Sequence, residues 1–106
     1  MEYFLLKFYV HEGDRHHGRQ LWEWLLEQGN RLQVEGGSAF RAMGGFGRHH
    51  RVHEERFVEL AGTVAVAVEF VLSSAQADQL LAVIAQEGVQ LPYIRCSVTF
   101  AVTGAH

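Results

Sequence analysis

This sequence has little cysteine, little proline and no hydrophobic run long enough to cross a bilayer. Cys96 is its single cysteine, so no intrachain disulfide can form and a reducing compartment is expected. The first residues, MEYFLLKFYVHEGDR, have no basic segment ahead of the apolar ones and include Lys7, which is not typical of a signal peptide. We therefore expect a cytoplasmic protein with no direct membrane insertion.

A strong charge of one sign is also lacking. The formal net charge is −3 with the seven histidines counted as neutral, which gives no general attraction to nucleic acid. Hydrophobic residues make up 48% and charged residues 20% of the chain, as in ordinary globular domains. With 106 residues and no internal repeat or linker, the sequence predicts a single domain over residues 1–106.

The first half of the chain predicts a strand, a helix and a second strand. Residues 2–10 form an apolar run in which Phe4, Leu6, Phe8 and Val10 share one face. Leucines recur at helical spacing over residues 18–32, where Gly29 costs about 1 kcal/mol relative to alanine and predicts fraying. EGGS then breaks the pattern, and residues 38–43 read as a short strand.

The second half predicts extended segments, a helix and a last strand. Residues 55–60 and 63–72 look extended, and residues 73–88 look helical. Ser73 and Gln76 have the spacing of a capping box at the start of that helix. The last strand, residues 94–102, alternates strictly, so its apolar positions, Ile94, Cys96, Val98, Phe100 and Val102, are expected to face the core. A thiol at Cys96 would then be buried and inert.

The order strand, helix, strand, strand, helix, strand predicts an α+β fold. It is that of a ferredoxin-like βαββαβ sandwich, a four-stranded antiparallel sheet with two helices on one face. The other face is left with largely apolar residues, Tyr3, Leu5, Tyr9, Ala65, Ala67 and Val71. Such a face favours burial against other subunits, so we expect a symmetric oligomer.

The connection between the two middle strands holds MGGFGRHHRVH, residues 43–53. Glycine N–H groups and nearby arginines make it a candidate phosphate cradle, formed by Gly44, Gly45, Gly47, Arg41, Arg48 and Arg51. The sequence matches neither a Walker A loop nor the GxGxxG motif. On composition alone, a polar loop whose glycines only permit a turn is the simpler interpretation.

The histidines of the same connection suggest a metal site. His49, His50 and His53 offer imidazole nitrogens suited to zinc, copper or nickel, although no third ligand follows clearly from either helical or strand spacing. The pair at His16 and His17 is open to the same two interpretations, ligands or surface side chains. Catalysis is the weakest interpretation, because the connection contains histidine bases and no evident nucleophile.

Three segments of the chain resemble PII-like signalling proteins, in particular a divergent and largely uncharacterised branch of that superfamily. They are KFYVHEGDRHHGRQLWEWLLE, GGSAFRAMGGFGRHHRVH and TVAVAVEFVLSSAQADQLLAVI. The central segment is the most specific, since an arginine precedes Gly-Phe-Gly and then an Arg-aliphatic-His triplet. These residues are Arg41, Gly45, Phe46, Gly47, Arg51, Val52 and His53.

The resemblance implies a homotrimer with no catalytic activity and no required cofactor. PII-type proteins bind small effectors, commonly adenine nucleotides, in clefts between subunits, and dock onto a transporter or enzyme through the connection between the middle strands. It implies that residues 44–56 are that docking loop and that the effector site at its base contains Arg41, Gly45, Phe46, Gly47, Arg51 and His53. The alternative from another class is a metal-binding trimer that uses His49, His50 and His53.

Overall fold

The computed structural model describes residues 2–46, 53–54 and 65–104. In chain order, the elements within these ranges are β1 (Tyr3–His11), β2 (Arg15–His16), β3 (Arg19–Gln20), α1 (Leu21–Arg31), β4 (Gly36–Arg41), β5 (Gly44–Gly45), β6 (His53–Glu54), β7 (Ala65–Ser73), α2 (Ser74–Gln86) and β8 (Tyr93–Val98). The extended segment predicted for residues 55–60 lies outside the described residues. Neither described helix is long and apolar enough to span a membrane.

The main sheet has four strands in the order β4-β7-β1-β8, and each neighbouring pair is antiparallel. The two long strands, β1 and β7, pair along their whole length at the centre, from Tyr3 opposite Ser73 to His11 opposite Ala65. Both helices pack on one face of this sheet. The predicted ferredoxin-like βαββαβ fold is therefore confirmed.

The core lies between the helices and one face of the sheet. Alternate residues of β1 and β7 are buried there, as the strand period of two requires. The buried hydrophobic residues are Leu6, Phe8, Val10, Leu21, Trp24, Leu25, Val66, Val68, Phe70, Leu72, Ala77, Leu80 and Ile84. The facing predicted for the first strand agrees with this list at Leu6, Phe8 and Val10, and Phe4 is partly buried against the same core.

Helix α1 does not fray at Gly29, contrary to the prediction, but continues to Arg31. Gly29 is buried against the sheet, and a Cβ placed on it would lie 2.3 Å from Cε1 of Phe70. The absent side chain allows the helix to approach the phenyl ring. The intrinsic helix cost of glycine is thus offset by closer packing of helix and sheet.

Helix α2 begins with the predicted capping box. The Ser73 hydroxyl accepts a hydrogen bond from the backbone N–H of Gln76 at 3.1 Å, and the Gln76 side chain accepts one from the N–H of Ser73 at 3.0 Å. The Gln76 amide also donates to the backbone oxygen of Leu32 at 3.1 Å. The cap therefore also joins α2 to the end of α1.

The predicted facing of the last strand is wrong. In β8, Arg95 lies opposite Leu6 of β1 and shares the helix-covered face, whereas Ile94 and Cys96 lie on the other face and are exposed. Arg95 donates hydrogen bonds to Asp78 and to Ser74 of α2, so this arginine links the edge strand of the sheet to the helix. Regular strand structure also ends at Val98, before the predicted 102.

The face opposite the two described helices, here called the open face, is partly apolar. Lys7 and Glu69 lie opposite each other near its centre and form an ion pair at 3.6 Å. Around that pair the open face carries apolar and aromatic residues, Tyr3, Leu5, Tyr9, Phe40, Ala65, Ala67, Val71, Ile94, Cys96 and Val98. The predicted apolar face is therefore present in the single chain.

Candidate functional site

One end of the sheet holds Arg41, the first of the predicted site residues. β1 ends there at His11, opposite the first residue of β7, Ala65, and β4 ends there at Arg41, opposite Val66. The backbone N–H of Ala42 donates to the backbone oxygen of Ala65 at 2.8 Å, so the residue after β4 still lies beside the first residue of β7. We call this the loop end of the sheet.

A short antiparallel ladder closes the connection that leaves the loop end. Gly44 pairs with Glu54, and Gly45 pairs with His53. The pairing brings the backbones of two predicted site residues, Gly45 and His53, side by side across the base of the loop. Glycine on one strand of this ladder leaves one edge of the loop base without side chains.

Arg41 contacts Glu12, which lies in the turn after β1, at the loop end. Its Nε donates to Oε2 of Glu12 at 3.3 Å, and both side chains are about two-fifths exposed, at 41% and 40%. An ion pair of this exposure contributes only about 0–1 kcal/mol, because water screens both charges. The contact with Glu12 is therefore weak enough for an incoming anion to compete with it.

The remaining predicted site residues fall into two groups. Phe46 follows Gly45 and is 65% exposed, so an aromatic ring lies at the surface beside the loop base. Gly47, His49, His50 and Arg51 lie outside the described residues, as does the side chain of His53. The predicted metal cluster of the loop therefore stays a prediction.

Two acidic residues in the turn after β1, Glu12 and Asp14, have structural contacts. The carboxylate of Asp14 accepts a hydrogen bond from the backbone N–H of His11 at 3.2 Å, and its backbone oxygen accepts one from Leu21 at 2.9 Å. Asp14 therefore fixes the turn between β1 and the hairpin that precedes α1. Glu12 is directed to Arg41.

A second polar cluster joins the histidine pair noted in the sequence to a carboxylate that the sequence did not indicate. His16 and His17 both contact the same carboxylate oxygen of Glu87, with Nε2 to Oε1 distances of 2.9 and 2.8 Å. The hydrogen bonds from the two imidazoles hold the pKa of Glu87 below its ordinary value. No sequence signal joined Glu87 to the histidine pair, because about 70 residues separate them.

Solved structures share this architecture. CPII from Thiomonas intermedia K12, a nitrogen regulatory PII-like protein whose structure contains ADP, AMP and bicarbonate, superposes with a TM-score of 0.65 at 12% identity. That alignment covers 92% of this chain and 87% of CPII. A putative PII-like signaling protein of Thermus thermophilus superposes with a TM-score of 0.60 at 19% identity, over 92% of this chain and 85% of that one. At these identities the likeness shows a PII-like fold.

The family follows from the sequence match. Residues 3–91 match the model of the DUF190 family, described as "Uncharacterized ACR, COG1993", and the chain belongs to that family. It is also 27% identical over 67 residues to a UPF0166 protein of Aquifex aeolicus (strain VF5). That match covers 63% of this chain and 64% of the relative, slightly less than two thirds of its length. The predicted resemblance to a divergent PII-like branch is therefore confirmed.

Proposed function

We propose that this chain is a non-enzymatic regulatory protein that binds a small anionic effector at the loop end of the sheet. The effector is an adenine nucleotide, held in a cleft between copies of the chain in a homotrimer. Its binding orders residues 44–56, and the ordered loop docks onto a transporter or an enzyme. In this way, binding energy shifts the population of the docking-competent state.

The arrangement of Arg41 carries this proposal. Arg41 is the last residue of β4, three positions before the ladder residue Gly44, and the ion pair of its guanidinium with Glu12 is partly exposed to solvent. A phosphate group can accept two parallel charge-assisted hydrogen bonds from a guanidinium, so it can compete with this exposed carboxylate for Arg41. Phe46, exposed beside the ladder, offers a surface on which a base could stack. Gly47, Arg51 and His53 complete the proposed site.

A second observation, the likeness in fold to CPII, supports the same proposal. CPII, which shares this fold, contains ADP, AMP and bicarbonate in its structure. An adenine nucleotide is therefore the first effector class to examine for this chain. Trimer formation would bury the open face, which carries exposed aromatic and aliphatic side chains such as Tyr9, Phe40 and Ile94.

A thermal-shift screen with ATP, ADP and AMP tests the proposal, because a ligand that binds only the folded state raises its stability. We expect one of these nucleotides to raise the melting temperature of the parent protein. Arg41→Ala should lower the affinity by about tenfold or more, as expected for a lost hydrogen bond to a charged group. Arg51→Ala should act in the same direction.

Two further variants sharpen the test. Glu12→Gln removes the carboxylate that competes for Arg41, so it should raise the nucleotide affinity, opposite in sign to Arg41→Ala. Arg31→Ala is the matched control, since Arg31 lies at the end of α1 and pairs with Glu27. Equal affinities for the parent and Arg41→Ala, or no stabilisation by any nucleotide, would contradict the proposed site.

Assembly is tested by placing a charge on the open face. Tyr9 lies on the central strand β1 and is 38% exposed in the single chain. Tyr9→Glu should dissociate the trimer, because an unpaired charge buried at each subunit contact costs several kcal/mol. Sedimentation velocity measures the change, and a parent protein that sediments as a monomer would remove the intersubunit cleft from the proposal.

A further inference from the structure

The structure brings His16 and His17 into contact with Glu87, although about 70 residues separate the two histidines from this carboxylate in the sequence. One ring nitrogen of each imidazole and one carboxylate oxygen all lie within 4.8 Å of one another. We propose that these three residues form a binding site for a divalent transition-metal ion of the zinc type. This site is separate from the histidines of the loop, and it does not depend on the proposed effector.

The turn between β2 and β3 creates the convergence. Consecutive residues of a strand point to opposite sides, which would separate two neighbouring histidines. Here His17 and Gly18 have positive φ angles of 53° and 77°, as in a type I′ turn. The two histidine rings consequently lie side by side, with centroids 4.1 Å apart. The guanidinium of Arg15 donates to the Gly18 oxygen at 2.9 Å and holds the turn.

His17 adopts a left-handed backbone, a conformation in which asparagine, aspartate and histidine are enriched among the non-glycine residues. The side chain reaches Glu87, at 2.8 Å from Nε2 to Oε1.

Glu87 is placed where a cation is favoured. It is the C-cap residue of α2, and α2 has no basic residue in its last turn. The carbonyl groups at a helix C-terminus carry partial negative charge, so a carboxylate there is unfavourable without a positive partner. A metal ion bound by Glu87 would offset both the charge of the carboxylate and the partial negative charge of the helix C-terminus.

The ligand set suits zinc. Two imidazole nitrogens and one carboxylate oxygen are ligands that zinc accepts, and three protein ligands leave a fourth position for water or another molecule. Tetrahedral bonds of about 2.0–2.1 Å place neighbouring ligand atoms about 3.3 Å apart. The present contacts of 2.8 and 2.9 Å need to open by only about half an ångström.

Packing around the cluster holds His16 in place, whereas His17 and Glu87 have room to adjust. His16 is 15% exposed and its ring packs edge-on against Trp24, at a centroid distance of 4.5 Å. His17 is 70% exposed and Glu87 is 36% exposed, so an ion can enter from solvent and the two side chains can adjust. Arg19 and Arg31 line the same groove as His17 and Glu87, and both pair with Glu27, so the groove holds two arginines and two carboxylates.

The test is a calorimetric titration of ZnCl2 into protein that has been stripped with a chelator and purified without a histidine tag. We expect saturable binding to the parent and to a His49→Asn, His50→Asn, His53→Asn triple variant. His17→Asn suits the turn and removes one ligand, and Glu87→Gln keeps the shape of the side chain. Each should weaken zinc binding by about tenfold or more, at least the effect of losing a partner of a metal ligand.

Co²⁺ provides a second readout, because tetrahedral coordination gives intense visible absorption bands. The bands should appear with the parent and be absent with His17→Asn and Glu87→Gln. The proposal is overturned if zinc does not bind, if both single variants bind as the parent does, or if only the loop triple variant loses binding. The first result would make the cluster a hydrogen-bonded tie between the hairpin and α2, and the last would transfer the metal site to the loop.

Discussion

The two faces of the sheet are built from the same strands and differ in what covers them. On β1, Phe8 is 1% exposed under the helices, whereas its neighbour Tyr9 is 38% exposed on the open face. Both faces carry large apolar side chains, but among the described residues only one of the faces is covered. The covered face therefore stabilises the fold of the chain, and the open face leaves apolar area exposed in the described part of the chain.

The largest expected difference between the faces comes from two neighbouring aromatic residues. Phe8→Ala removes a ring that packs against Phe70 at a centroid distance of 6.2 Å, and should lower the free energy of unfolding by about 3–5 kcal/mol. Tyr9→Ala should lower it much less at protein concentrations where the chain is monomeric. Urea unfolding at such concentrations compares the two variants, and equal losses would contradict the distinction between the faces.

Alanine substitutions at two glycines test the same distinction between the faces, and an intermediate loss of stability is expected at the one on the covered face. A Cβ at Gly29 meets Phe70 on the covered face, so Gly29→Ala forces the helix away from the sheet and should cost about 1–3 kcal/mol. A Cβ at Gly36, on the open-face side of β4, meets no atom of the described residues within 4 Å, so Gly36→Ala should be close to neutral. Thermal unfolding of both variants measures the difference. A stabilised Gly29→Ala would show that the close approach is not required.

The smallest effect is expected at the outer surface of the helix layer. The hydrogen bond from Arg19 lowers the pKa of Glu27, with a further contribution from Arg31. A lowered pKa in the folded state means that Glu27 contributes stability above its ordinary pKa and that the contribution is lost as the pH falls through the lowered value. Glu27→Gln should therefore flatten the acid side of the stability profile slightly, while the unfolding free energy at the acid end of the profile approaches that of the parent.

That profile is measured by urea unfolding at a series of acidic pH values. Asp78→Asn is a suitable comparison, because Asp78 also pairs with an arginine, Arg95, on the helix layer. The account of Glu27 is contradicted if Glu27→Gln and the parent lose stability in parallel from neutral to acidic pH.

Periodicity and end signals were sufficient to predict several of the elements. The first strand and α2 follow directly from the spacing of their apolar residues, and the capping box at Ser73 marks the start of α2. The last strand has an equally clear alternation, yet its facing was predicted wrongly. Alternation gives two sets of side chains but does not say which set meets the helices when the opposite face is apolar too.

The candidate sites depend on contacts that no local pattern contains. Arg41 meets Glu12 across 29 positions of the chain, and His16 meets Glu87 across 71. Strands of two residues, such as β2 and β3, are also too short to show a period. The sequence therefore indicated which residue types could bind a ligand, while only the fold showed which of them lie together.

The most direct measurement is an isothermal titration of ADP into the parent protein and into Arg41→Ala, at low and moderate salt. We predict saturable binding to the parent that weakens as salt rises, since the contact is between an anion and a partly exposed cation. Arg41→Ala should bind about tenfold more weakly or worse. Absence of binding to the parent, or the same affinity and salt dependence in Arg41→Ala, would contradict an anionic effector site at the loop end of the sheet.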